Sequence, residues 1–442
     1  MTNVIAPISA LLLSVAFLLA GNGLQGTLLP IRAGMEAFTT PDIGILGSAY
    51  YIGFASGCLL GGRILRRAGH IRTFTAMASI ASAVALAHAL VLLPWFWWLA
   101  RATTGLCLAV LFMVIESWLN ERSTKETRGT ILAIYLIINL TVITVGQMMI
   151  TLYYPGGWHL FALASILVSL AAVPIAFTAS PAPAGVETVT VRIWRLYHLS
   201  PVGFAGCVTV GLANGAFWSL GPVYAQRTGL DVAGVAIFMS ATVLAGAAGQ
   251  WPLGRASDRV DRRKVIVIAC AFAAVAAAAL ASGLLTTEAQ ILTASCAFGI
   301  FAFPIYAIAV AHTNDFVPQG EFVESSSGLL LLFGAGAVLG PLVASFLMTR
   351  FGPQGLYAFT ALVHVSMAIF ALYRMYRREP VAAEERTSFL HGLEAANTVS
   401  NVFEDESPEP ETDGEAPPPT APDEVPPQVI ERDLQMEERR QD

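Results

Sequence analysis

Long apolar stretches broken by short polar ones set the pattern of this chain. They run roughly over 5–31, 42–65, 71–93, 95–119, 129–152 and 157–177, then again over 200–226, 232–255, 264–284, 289–312, 322–348 and 354–376. Each is long enough to cross about 30 Å of hydrocarbon as a helix. A backbone in lipid must satisfy its own hydrogen bonds, so the stretches predict helices. The expected fold is an all-α membrane protein with twelve transmembrane helices. Breaks at Pro94 and at Tyr153 to Gly157 read as tight turns, which force neighbouring helices to run antiparallel.

A second pattern lies over the first. The stretch from Gly57 to Arg72, G-C-L-L-G-G-R-I-L-R-R-A-G-H-I-R, has an echo 192 residues later. That shift carries Gly57 to Gly249, Gly62 to Gly254, Arg63 to Arg255, Arg67 to Arg259 and Arg72 to Lys264. It also carries Asn22-Gly23 to Asn214-Gly215, Pro30 to Pro222 and Ser48-Ala49 to Ser240-Ala241. One constant offset over about fifty residues marks a duplication. The chain then divides into a six-helix half over 1–177, a linker over 178–199, a second, pseudo-twofold-related six-helix half over 200–378, and a tail over 379–442.

Composition agrees: 55% hydrophobic residues, 13% charged and a positive mean hydropathy exclude an ordinary soluble protein. The net charge of −6 hides a division. Residues 379–442 hold 18 acids and 4 arginines, whereas the first 378 residues hold 13 acids and 21 bases. One set of loops carries Arg63, Arg66, Arg67, Arg72, Arg122, Lys125, Arg128, Arg192, Arg195, Arg255, Arg259, Arg262, Arg263 and Lys264, with Arg374, Arg377 and Arg378 after the last helix. The opposite set has Arg32, Arg227 and Arg350. The positive-inside rule then places both termini in the cytoplasm, with Trp95, Trp97 and Trp98 at the outer interface.

The five cysteines fall in apolar segments and read as buried thiols, not as disulfides or metal ligands. The first residues lack a positive region before their apolar run, so they read as the first spanning helix and not as a cleaved signal. The linker begins proline-rich, and its remainder is expected along the inner surface. Glu404 to Pro427, acidic and proline-rich, is expected to be disordered, and Glu384 to Phe403 could form a short amphipathic helix.

A glycine-arginine loop between two spanning helices, present in both halves, resembles the helix 2–3 and 8–9 loops of the major facilitator superfamily. The family pattern is G-x-L-a-D-R-x-G-R-R. Gly62, Arg67 and Gly69 match, with Arg66 in place of the acid; Gly254, Asp258, Arg259, Arg262 and Arg263 match, with Asp261 in place of the second glycine. The strings E-S-W-L-N-E-R-S-T-K-E-T-R-G-T-I-L-A-I-Y from Glu116, G-Q-W-P-L-G-R-A-S-D-R at 249–259 and A-H-T-N-D at 311–315 are similar to the bacterial YcaD-type branch, over about residues 1–378. The resemblance implies an inner-membrane secondary transporter with alternating access and brings no assigned substrate. In the family the loop acid faces the N-terminus of helix 11 or helix 5 of the other half, where a helix dipole favours it. Here helix 11 opens with Glu321 and Glu324, and helix 5 opens with Arg128. The expectation is a charge-swapped pair of cytoplasmic latches, Arg66 with Glu321 or Glu324 and Asp258 with Arg128, closed in the outward-open state. The alternative is a set of solvated loop charges.

Helix 4 supplies intramembrane charges, Arg101 and Glu116. Such groups cost at least about 2.5–3.5 kcal/mol on insertion scales and are functional candidates. Arg101 either snorkels to the outer surface or serves the cavity; with Gly105 and Ala109 it fits an R-x-x-x-G-x-x-x-A pattern of proton-coupled relatives. Glu116 is either an ion-pair partner of Arg67 or Arg72 or a carboxylate that protonates during transport. Asn22 and Gln25 on helix 1, Asn214 and Trp218 on helix 7, and Tyr135 and Asn139 on helix 5, with Gln147 beyond, are candidates for the substrate cavity or for interhelical hydrogen bonds. His88 and His364 read as structural. Helix 5 lacks the Gly-Pro of antiporter relatives, which occurs instead as Gly340-Pro341 on helix 11, and Asn22 stands where drug–proton exchangers hold an acid. Both departures weaken a multidrug-antiporter reading.

The reading is a monomeric secondary transporter of a small polar or amphipathic solute, with protons as a candidate coupling ion. The other reading is a membrane-embedded scaffold that recruits a partner through its acidic tail. No nucleotide loop, metal constellation or nucleophile triad argues for an enzyme, a cofactor or a nucleic-acid partner.

Overall fold

The structure, a computed structural model, describes residues 8–123, 127–177, 192–318, 321–379, 386, 388 and 389. They belong to the first of two compact units, Met1–Glu404; the second, Asp405–Asp442, lies outside them, as do the expected proline-rich linker and most of the tail. Among the described residues, twelve helices are long and apolar enough to cross a membrane. In chain order they are α1 (Ser9–Met35), α2 (Thr40–Ala68), α3 (His70–Leu90), α4 (Pro94–Glu121), α5 (Arg128–Met148, continued by the 3-10 turn Met149–Leu152) and α6 (His159–Ala176). The second set is α7 (Pro201–Arg227), α8 (Val232–Arg259), α9 (Arg262–Ala281), α10 (Glu288–Asn314, interrupted at Phe303 and Pro304), α11 (Phe322–Phe351) and α12 (Gly355–Arg377). A short linker helix, Ile193–Leu199, lies between the sets.

The helix ends follow from local chemistry. Thr39 and Asp42 form a capping box at the start of α2, with Pro41 in the first turn. The glycine-arginine stretch expected as a loop is instead the last turns of α2, where Arg66 and Arg67 suit the negative end of the helix dipole. Gly69, at φ +77°, then turns the chain into α3. In the second half Asp261 stands where the second glycine was expected, and it caps α9 by accepting from the Arg263 N–H at 3.0 Å. Burial alone raises the Asp261 carboxyl, but the Arg263 guanidinium and N–H outweigh it and hold it below the usual carboxylate range.

Within each half, glycines bring backbones together. A side chain at Gly57 would strike the Leu106 carbonyl of α4, and one at Gly23 would strike the Ile143 carbonyl of α5. Adding 192 to the glycine and 194 to its neighbour gives Gly249 against Ile300 and Gly215 against Ala337, and both contacts exist. The seam between the halves obeys the same symmetry. Ser48 of α2 donates to the Val338 carbonyl of α11 at 2.7 Å, and its counterpart Ser240 of α8 donates to Gln147 Oε1 of α5 at 3.3 Å, beside the Thr144 carbonyl. The duplicated sequence therefore folds as two pseudo-twofold-related six-helix halves.

The hydrophobic core divides along the molecule. At the end holding Phe38 and Trp97, here the tryptophan end, one cluster joins both halves, running from Leu24, Leu28 and Phe161 to Phe217, Leu220 and Phe238. Toward the other end, the arginine end, the clusters separate. One is built wholly from the first half around Phe74, Leu111 and Ile115, and another wholly from the second around Val210, Ile266 and Ile308. So the halves are packed together at the tryptophan end and each is packed on itself at the arginine end.

The tightest α2–α4 approach is Gly53 against the Ala102 carbonyl, while Gly26 faces open space. Gly53→Ala is expected to destabilise the protein by about 2 kcal/mol or more. Gly26→Ala is expected to be neutral or stabilising by up to about 1 kcal/mol, from helix propensity. Thermal unfolding of the two purified variants beside wild type checks the contrast.

Candidate functional site: a cavity between the halves

Between the separated cores lies a cavity of about 360 Å³, lined by α1, α2, α4, α5, α7 and α11. α4 threads through its charged groups. Arg101 and Glu116 both line it, fifteen residues apart and so about 22 Å along the helix axis. Fifteen residues bring the helix back to broadly one face, and this spacing is why one helix can serve both ends of one cavity.

Arg101 does not simply reach for the surface. Its guanidinium lies over the Tyr50 ring, 4.3 Å from the centroid, and its Nη1 is buried with no hydrogen-bond partner among the described residues. Tyr50 and Tyr51 reach the cavity because Gly105 lets α4 lie directly against the Tyr50 backbone. Glu116 is 4% exposed and accepts from the Tyr135 hydroxyl at 3.4 Å. Asn139, one turn further along α5, lines the same wall, followed by Ile143 and Gln147. Arg67 and Arg72, the candidate ion-pair partners of Glu116, are exposed at the arginine end.

Asn22 and Trp218 also line the cavity. Gln25 and Asn214 do not, though both are on the helices expected to carry it; each has a buried amide oxygen with no partner among the described residues. Gln25 lies about 60° from Asn22 around α1, on the side away from Leu19, Gly23, Gly26 and Pro30, and so off the cavity face. Tyr50, Tyr51, Phe54, Phe333 and Ser219 are lining residues that the search for intramembrane polar groups passed over. The aromatic run at 50–54 was the signal for three of them. His88 and His364 each bond a carbonyl one turn back in their own helix, at 2.7 Å, away from the cavity.

The expected latch residues sit at the arginine end, in other partnerships. Glu324 takes the Arg192 side chain at 3.0 Å, and Glu321 takes Arg195 at 2.6 Å, both from the linker segment. Asp258 pairs with Arg262 at 3.3 Å and accepts the Phe389 N–H at 2.8 Å. The Arg128 side chain lies outside the described residues. Gly62 and Gly254 are buried, Arg66 and Arg259 exposed. Among the described residues no group of three or more His, Cys, Asp or Glu is placed to hold a metal ion.

Two six-helix halves with a largely apolar cavity at their interface, holding a few charged and amide groups, define a class of membrane transport protein. The family model of the Major Facilitator Superfamily matches residues 11–321 and 204–402, and the chain belongs to that family. It is 27% identical over 393 residues to an uncharacterized MFS-type transporter of Enterobacter sp. (strain 638), covering 87% of this chain and 98% of that one. It is 26% identical to the uncharacterized MFS-type transporter YcaD of Escherichia fergusonii, over 81% of this chain and 93% of the relative. Among solved structures, the nucleoside transporter NupG superposes with a TM-score of 0.72 at 13% identity, covering 84% of this chain and 99% of that one. A bacterial homolog of the human lysosomal transporter Spinster, inward-facing and unoccupied, gives 0.66 at 14% identity, covering 91% and 98%. The chain is thus a multi-pass membrane secondary transporter and not an enzyme.

Burying the Arg101 guanidinium costs more than its contact with Tyr50 returns, about 2.5 kcal/mol or more against about 0.5–2. Arg101→Met is therefore expected to raise the thermal midpoint of the solute-free protein while weakening solute binding. Unfolding scans with and without a bound solute check both signs.

Proposed function

We propose that this transporter carries a small polar or amphipathic solute through the cavity by alternating access, in a bacterial inner membrane with both termini cytoplasmic. A guanidinium Nη1 with no partner among the described residues, at the end of the cavity away from Glu116, suits a solute with an anionic group, which Arg101 would bind while Tyr50, Phe54 and Trp218 cover its apolar body. Glu116 is the proton-coupling group. Its carboxylate is buried beside the Tyr135 hydroxyl on the same cavity wall, so loss or gain of one proton there changes the charge of the pathway. That shared cavity, with a cation and a carboxylate on one helix, is the observation that carries the reading.

On this reading the arginine end faces the cytoplasm and the structure is inward-facing. Support comes from the core, which joins the halves only toward the tryptophan end in its largest cluster and splits by half beyond it. Rocking the halves about the cavity closes the arginine end, and there Arg66 with Glu321 or Glu324, and Asp258 with Arg128, remain the proposed latches of the outward-open state.

A thermal-shift screen of the purified protein against a small-molecule panel at two pH values, beside Glu116→Gln, tests the function. A ligand that binds only the folded state raises the midpoint by mass action. The expected hit is anionic, pH-dependent in wild type and indifferent to pH in Glu116→Gln. A hit equally indifferent in wild type refutes proton coupling through Glu116. The orientation has its own check: in intact cells, an impermeant maleimide is expected to label Thr39→Cys and to spare Arg63→Cys until the membrane is permeabilised.

A further inference from the structure

Four residues of the C-terminal tail are described, Glu379, Arg386, Ser388 and Phe389, and two of them, Arg386 and Phe389, are bound to the arginine end of α8. The Phe389 ring is 5% exposed and fills the space over Gly254, where even a methyl group would strike it. The Phe389 N–H donates to Asp258 Oδ1 at 2.8 Å, and Arg386 Nη1 donates to the Val260 carbonyl at 2.9 Å. Phe389 joins the hydrophobic cluster of the second half. Its neighbours in sequence are mostly polar or acidic, so a buried phenylalanine there is a specific anchor and not a general collapse.

By helical period, the face it occupies is the one that meets the other half further along α8. Ser240 marks that face at the tryptophan end of α8, where it meets Thr144 and Gln147 of α5. Eighteen residues make five turns of a regular helix, so Asp258 falls on the Ser240 side of α8 by helical period, with Pro252 in the intervening turns. Gly254 lies within about 40° of the same line. Any rocking motion that closes the arginine end brings this strip of α8 toward the corresponding stretch of α5. In the present state its glycine is covered by a ring, and its aspartate is engaged by a backbone N–H.

We infer that the segment around Arg386 and Phe389 is an intramolecular wedge, which seats on Gly254 and Asp258 in the open state and must leave before the arginine end can close. Its occupant is this chain's own tail. The wedge favours the open state by whatever free energy its contacts contribute there and lose on closing. Anything that draws the tail away, a partner protein or a charge added beside Phe389, would then release the transporter. The inference rests on the alternating-access reading, and the experiment separates their failures.

The test is the distance distribution between spin labels at Arg63→Cys and Lys264→Cys in the full-length protein, its five native cysteines replaced by alanine. Phe389→Ala, Arg386→Ala and a chain ending at Glu379 are compared with the unaltered tail. The expected result is a rise in the short-distance population, by about fivefold in the ratio of closed to open, as one lost hydrogen bond or buried ring gives. A synthetic peptide of residues 380–395 added to the truncated chain is expected to restore the long distance. Phe389→Leu, which keeps an apolar side chain, guards against loss of folding and is expected to lie between. A lowered thermal midpoint with an unchanged ratio in all variants overturns the wedge, because the ring then only stabilises the second half. A single distance in every sample, whatever the pH or tail, overturns the alternating-access reading first and the wedge with it.

Discussion

The contact of glycine with a neighbouring helix's carbonyl is what this molecule is built from. In hydrocarbon there is no hydrophobic drive to bring apolar helices together, so association depends on close van der Waals packing. Gly57 on Leu106, Gly23 on Ile143 and their counterparts Gly249 on Ile300 and Gly215 on Ala337 bring helix axes nearer than any side chain would allow. These contacts lie inside the halves. They hold each half together, while the seam has close approaches of its own, Gly44 of α2 against the Pro341 carbonyl and Ser345 of α11 and Gly47 against Ser219 of α7, beside the serine hydrogen bonds of Ser48 and Ser240.

A cavity at such a seam has consequences for charge. Arg101 and Glu116 are held on one helix of one half, so their separation is fixed, while the opposite wall, with Trp218 and Phe333, belongs to the other half. The arrangement suits a site that must bind from either side without losing its polar contacts. It also places the costly groups where solute or water, and not lipid, is their partner. The shared core around Phe217 and Phe161 closes the seam at the tryptophan end, and its absence at the other end is what gives the cavity an approach.

At the arginine end the segments outside the spans matter as much as the spans. Arg192 and Arg195 hold Glu324 and Glu321, and Phe389 and Arg386 hold Asp258 and Val260. The acids expected to latch one half to the other are instead engaged by the linker and by the tail. Exchange of partners between these sets would couple the position of the linker and the tail to the position of the halves. Because the linker pairs remain partly open to solvent, Arg192 being held by the Glu324 carboxylate above its ordinary range, each contributes modestly and salt would weaken it.

Hydropathy, repetition and charge in the sequence determined the number of spanning helices, the duplication and the two charged positions on α4. These are properties of the chain that the bilayer reads residue by residue, so no tertiary contact is needed to infer them. The 192-residue echo includes Ser48 and Ser240, but only the structure puts both at the seam between the halves. Other features depend on which faces meet. Whether Asn22 lines the cavity while Gln25 and Asn214 do not is a matter of helix rotation, which glycine contacts decide and hydropathy does not. The pairing of Glu321 and Glu324 was legible as a need for a cation, but many arginines lie within reach in sequence, and only the folded chain chose Arg195 and Arg192 over Arg66. Phe389 shows the limit most sharply: in the sequence it is one apolar residue of a candidate amphipathic segment, beside Leu390 and Leu393, and only the open side of Gly254 gives it a place.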